Sequence, residues 1–226
     1  MSSKSIVRLI VVLLILAVGG TGVFSELDNT GGGSGGGKVD TGAAPASVVK
    51  TLDGLTVSPP GSMAGYSREK FPHWSDAQES GWDADPSCDA RDAALIRDGK
   101  DVQVGSGCDV ISGKWLDPYT TRTYTEPLDI DIDHVVPLAN AWRSGASGWD
   151  TAERERYAND PDVLLSVEDN ANQEKGDKGP EAWKPPNKGE WCDYAKRWVQ
   201  IKDKYDLSVN EQEKQSLVQM LNGCGG

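Results

Sequence analysis

Residues 129–142 read DIDIDHVVPLANAW, so that Asp129, Asp131 and Asp133 alternate with isoleucines and run into His134, one of two histidines in the chain. A period of two sets the three carboxylates along one face of a strand. Like charges side by side repel, and a bound cation or a desolvated pocket would offset that cost. The chemistry these residue types can do is metal-assisted hydrolysis: a carboxylate is a hard oxygen ligand, and a neutral imidazole can take a proton from water. Neighbours on a regular strand point to opposite faces, so Asp133 and His134 are expected to straddle a cation where the chain leaves the pleat. Downstream, LLSVEDNANQEKGDKGP offers Asn170 and Asn172 as further oxygen donors. An Asp and an Asn holding Mg²⁺ beside a neutral His would make a phosphodiesterase centre. DIDID also imitates a calcium loop, but His134 stands where that loop needs glycine and Asn140 where it needs the bidentate Glu, which excludes an EF-hand.

The elements around this segment define one α+β domain. CDARDAALIRDGKDV predicts a helix stopped at Gly99, VQVGSGCDVISGKWLDPYTTRTYTEP a hairpin, and DIDIDHVVPL a strand leaving it. ANAWRSGASGW and TAERERYAND read as helical, and Trp191, Tyr194, Trp198 and Ile201 recur at helical spacing. EQEKQSLVQMLNGC is another amphipathic helix, closed by Gly223, while the region from Leu52 begins with a short extended piece. Residues 1–25, with Lys4 and Arg8 before an apolar run from Leu9 to Val18, predict a signal peptide or an N-terminal membrane anchor. Residues 26–47 read as a Gly/Ser-rich flexible linker and 48–226 as the working domain, secreted or otherwise extracytoplasmic, and monomeric.

All four cysteines fall in that domain, and none are spaced as close metal-binding pairs. In an oxidising compartment an even count favours disulfides, for which three connectivities are open. The two nearest-neighbour closures, Cys88–Cys108 and Cys192–Cys224, are preferred. The formal charge of −12 argues against a protein that coats nucleic acid through a basic face. It leaves room for an enzyme with few phosphate contacts.

DIDHVVPL, followed after a helical insertion by DPDVLLSVEDNANQEKGDK, resembles the HNH (ββα-metal, or His-Me finger) endonuclease motif, D-H-x-x-P and then N-x-x-K-G. GYSREKFPHW, SGKWLDPY, AWRSGA, YANDP, KGDK and a W-x-P-P segment resemble, more narrowly, a secreted branch related to the C-terminal nuclease domain of GmrSD-type restriction enzymes. The likeness extends over about Leu52 to Leu221 and implies a ββα-metal core with additional helices. It implies Asp133 as a metal ligand, His134 as general base and Asn172 as the second protein ligand. The cofactor would be a divalent cation, Mg²⁺ before Mn²⁺ or Ca²⁺, and the substrate nucleic acid, DNA before RNA. The family's middle Asn, which braces the histidine loop, falls at Val163, a departure; Val163 then reads as core, with Asp162 or Asn159 taking over the bracing.

Each assignment has a structural rival. Asp129 fits the solvent face of an edge strand. Asp131, Arg143, Lys175 and Lys178 could each support the ligands from behind or contact phosphate; the rival for Arg143 is an ion pair and for Lys175 and Lys178 a solvated turn, while His73 fits a packed structural residue. Trp115, Trp142, Trp183 and Trp198 are core before they are substrate platforms. Two other functions suit an exported acidic chain rich in tryptophan: a cell-wall glycan hydrolase using paired carboxylates without a metal, and a non-catalytic module tethered at the surface.

Overall fold

A computed structural model describes residues 46–224. Its first helix, α1 (Ala46–Gly54), buries Val48 and Leu52, one turn apart. Residues 52–54 are therefore helical, and the short extended piece expected there begins later, at Val57, which bridges in parallel to Val209; Ala46 and Ser47 lie in this helix. The rest of the linker and the predicted signal or anchor lie outside the described residues.

Helix α2 (Ala90–Asp98) starts on Asp89, whose side chain accepts from the Asp92 amide, and stops at Gly99 as expected. A Cβ at Gly99 would sit 2.8 Å from Trp115 Nε1 and 2.9 Å from the Leu95 carbonyl oxygen. That carbonyl accepts the Trp115 indole at 2.9 Å, so only glycine lets the helix end against the sheet. Strands β1 (Lys100–Val104), β2 (Val110–Leu116) and β3 (Thr123–Tyr124) form an antiparallel sheet in that order, extending the expected hairpin by one short strand.

The second sheet pairs β4 (Ile130–His134) with β5 (Leu164–Glu168) antiparallel, in continuous register from Ile130↔Glu168 to His134↔Leu164. Between them run α3 (Leu138–Arg143) and α4 (Thr151–Asn159), the two helical segments expected there. Helix α5 (Asp169–Lys175) follows β5 without a loop, because Glu168 caps it by accepting the Ala171 amide at 2.7 Å. The product is the ββα unit expected of an α+β nuclease-like domain. Helices α6 (Trp191–Lys204) and α7 (Glu211–Leu221) close the chain, α7 on a capping box of Asn210 and Glu213.

The main core joins α1, α3, α6 and α7 around Leu52, Trp142, Trp198 and Leu217. A second core lies between α2, β2 and the second sheet, with Leu95, Trp115, Ile132 and Leu164. The disulfides are Cys88–Cys108 and Cys192–Cys224, the nearest-neighbour pairing, with Cα atoms 5.0 and 5.1 Å apart. Among the described residues no helix is long and apolar enough to cross a membrane.

Candidate active site

The ββα unit sets its polar side chains on two elements. From β4, Asp131 and Asp133 meet α5: Asn172 Nδ2 donates to Asp131 Oδ2 at 3.1 Å, and Lys175 Nζ donates to Asp133 Oδ1 at 2.7 Å. Tyr119, fully buried, donates its hydroxyl to the other oxygen, Oδ2, at 2.7 Å. Burial alone pushes the Asp133 carboxyl up and the Lys175 amine down, and their mutual attraction opposes both shifts. Asp133, Lys175 and Tyr119 thus hold one another in a buried cluster.

His134 has a different partner. It remains in the strand ladder opposite Leu164 rather than leaving the pleat, so its ring turns toward the last turn of α4. There Nε2 lies 2.9 Å from the Ala158 carbonyl oxygen. A carbonyl only accepts, so Nε2 carries the proton and Nδ1 keeps the lone pair. Burial lowers the imidazole pKa to about 3, and the nearby charges of Arg68 and Lys175 oppose protonation further. The ring is a neutral base of fixed tautomer.

The same reasoning fixes Asn172. A carboxylate only accepts, so the amide nitrogen must face Asp131, and Asn172 Oδ1 has no hydrogen-bond donor among the described residues. Asp133, His134 and Asn172 border one cavity of about 270 Å³ together with Tyr66, Arg68 and Asp177. The three residues expected at the site are therefore brought together. Larger cavities of about 830 and 960 Å³ lie beside the Cys88–Cys108 disulfide and beside Trp149, and hold none of these groups.

The remaining expectations divide. Lys175 has no exposure, so it is not a phosphate contact; it supports Asp133 and also donates to the His134 carbonyl oxygen at 3.1 Å. Arg143 forms an ion pair, donating to the Asp177 carboxylate at 3.2 Å and to its carbonyl oxygen at 2.6 Å. Lys178 is exposed, donates to the Glu174 carbonyl oxygen and does not border the cavity. Asp129 is exposed in a turn before β4. His73 packs edge-on against Trp74, which stacks on His134 with ring centroids 6.1 Å apart. Trp74 holds φ at +63°, a costly conformation for a bulky residue and one that places its ring over the base.

Bracing of the histidine loop comes from other groups than those expected. Asp162 pairs with Lys204 at 2.7 Å. Asn159 donates to the Pro72 carbonyl oxygen at 2.9 Å and accepts from the Ser75 amide at 3.0 Å, which anchors the segment carrying Trp74 rather than the loop itself. The loop is held by the Tyr157 hydroxyl, 2.5 Å from the Val136 carbonyl oxygen, and by the Val135 amide donating to the Val163 carbonyl oxygen at 3.0 Å. Val163 braces with its backbone, and its side chain is fully buried core. Val163→Asn is accordingly expected to bury an unsatisfied amide and cost about 1–3 kcal/mol, seen as a lower Tm with no gain in activity. A more active variant of unchanged Tm would reverse this account.

Tyr66, Arg68, Trp74, Tyr119 and Tyr157 were not singled out from the sequence as site residues. The available signals are GYSREKFPHW, which holds Tyr66, Arg68 and Trp74, SGKWLDPY, which ends in Tyr119, and YANDP, which begins with Tyr157; each contributes to the family likeness without naming a role.

This constellation sits within residues 89–220 except for the Tyr66–Trp74 segment, and residues 89–220 match the family described as GmrSD restriction endonucleases, C-terminal domain. The chain belongs to that family, and its domain is of nuclease type. A protein of Arthroderma benhamiae named "Uncharacterized secreted protein" is 51% identical over 175 residues, which cover 76% of this chain and 82% of the relative. No solved structure matches the chain.

Proposed function

We propose that the domain is an exported, divalent-metal-dependent endonuclease that hydrolyses phosphodiester bonds, with DNA preferred over RNA. The single observation that carries this reading is that one cavity, also bordered by Asp133, is bordered by His134, neutral with Nδ1 unprotonated, and by Asn172, whose Oδ1 has no donor among the described residues. Export is supported by the two disulfides and by the name of the relative.

The donor set fits a hard cation. Asp133 and Asn172 offer oxygen, and each Asp133 oxygen keeps a lone pair beyond its one bond; among the described residues no group of three or more His, Cys, Asp or Glu side chains is placed to hold a metal. Few protein ligands, with the rest from water and phosphate, is the habit of Mg²⁺. Bound there, the cation would neutralise charge on the scissile phosphate. His134 Nδ1 takes the proton of the attacking water, and the imidazolium formed is held through Nε2–H by the Ala158 carbonyl oxygen. Lys175 and Tyr119 fix Asp133, and Asp131 turns the Asn172 amide so that its oxygen is presented.

Treating the purified protein with EDTA is expected to abolish cleavage of a DNA substrate, and added Mg²⁺ to restore it. Asp133→Ala and Asn172→Ala are expected to need more Mg²⁺ for half-maximal rate. Cleavage that survives exhaustive chelation would refute metal dependence, and glycan hydrolysis under those conditions would favour the paired-carboxylate reading instead.

A further inference from the structure

Positive charge is scarce at this cavity, in a chain of net charge −12. Lys175 is buried on Asp133, and Arg143 is engaged by Asp177. Of the residues that border the cavity, Arg68 is the one lysine or arginine, and its side chain is exposed. Its guanidinium makes no hydrogen bond or ion pair with any described residue. A polyanion entering the cavity must nevertheless be neutralised somewhere.

The backbone beneath Arg68 is fixed although the side chain is free. Arg68 opens a short 3₁₀ turn, Arg68–Lys70, followed by the fully buried Phe71. Arg154 Nε donates to the Lys70 carbonyl oxygen at 3.0 Å, and Asn159 Nδ2 to that of Pro72 at 2.9 Å. The segment is thereby strapped across the mouth of the ββα unit, more than sixty residues before His134 in the chain and outside the stretch that matches the family. A planar guanidinium offers paired donors suited to phosphate oxygens, and an exposed one loses little on changing water for phosphate.

We propose that Arg68 is a substrate-binding residue, taking a non-bridging phosphate oxygen of a polynucleotide backbone that lies across the cavity bordered by His134. The proposal rests on the nuclease reading, and it adds a contact that the D-H and N-x-x-K-G motifs do not contain.

The test is binding of a labelled DNA oligonucleotide, titrated against salt, with cleavage disabled in two independent ways: in His134→Ala protein, and in wild-type protein under EDTA. Adding Arg68→Ala is expected to weaken binding about tenfold or more near 0.1 M salt and to lower the slope of log K against log salt by about 1. Arg68→Lys should keep the slope and recover part of the affinity. In the metal-loaded enzyme Arg68→Ala should raise KM more than it lowers kcat, and Tm should not move because the side chain has no partner in the fold. If the parent proteins bind and Arg68→Ala binds equally well with an unchanged slope, the assignment of Arg68 falls while the nuclease reading stands. If neither parent binds and wild-type protein with Mg²⁺ cleaves nothing, both fall together.

Discussion

Replacing His134 by alanine is expected to lower the rate of the proposed phosphodiester cleavage by about 10²–10⁴-fold, the usual cost of removing a general base. The substrate affinity should change far less, because the ring donates its one proton to Ala158 and not outward. The pH dependence is the sharper check. With the imidazole pKa near 3 in the fold, the base is already neutral well below neutrality, so no loss of kcat/KM through pH 6–7 should arise from His134. An acid limb with a midpoint at the ordinary histidine value of about 6.5 would contradict the buried-base assignment.

The same shift has a stability consequence with a definite sign. Between about pH 6.5 and 3 the unfolded chain binds a proton at His134 that the fold refuses. The stability contribution is whole above the unfolded value and is lost as pH falls toward the folded one. Metal-free wild-type protein should therefore lose Tm more steeply than His134→Ala between pH 7 and 4.5. Parallel curves would mean that the ring is not held neutral.

Lys175→Met is expected to be the most destabilising single change at the site. It leaves the Asp133 carboxylate, 4% exposed, without its counter-charge, and breaking a buried pair from one side costs about 3–5 kcal/mol. Asp133→Asn combined with Lys175→Met should recover much of that loss, since no lone charge then remains. Urea unfolding of the two single variants and the double variant gives the coupling directly. A single-variant cost below about 1 kcal/mol would mean that water reaches Asp133 and that Lys175 does not position it.

The sequence by itself determined the local parts of this protein. Period-two alternation from Asp129 to His134, the Asp89 cap and Gly99 stop of α2, the spacing of Trp191, Tyr194, Trp198 and Ile201 along α6, and the two short-range disulfides are all set by residues close together in the chain, where propensity and loop closure act. The order D-H, then N-x-x-K-G, was sufficient to predict that Asp133, His134 and Asn172 come together at one cavity, because a strand, its antiparallel partner and the helix that follows bring those positions together in any ββα unit.

Only the tertiary structure decided what surrounds them. Lys175 reads in the sequence equally as a phosphate contact, a group behind the ligands or a charge in a solvated turn, yet β4 meets α5 so closely that its ammonium is sealed against Asp133. Val163 looked like a missing side-chain brace, but the bracing passes through backbone carbonyls and the Tyr157 hydroxyl, neither of which carries a sequence signature. Arg68 and Trp74 reach the site because Phe71 and Asn159 tie their segment over it. Contacts between residues more than sixty positions apart are selected by which apolar faces pack together, and that choice belongs to the whole core rather than to any local pattern.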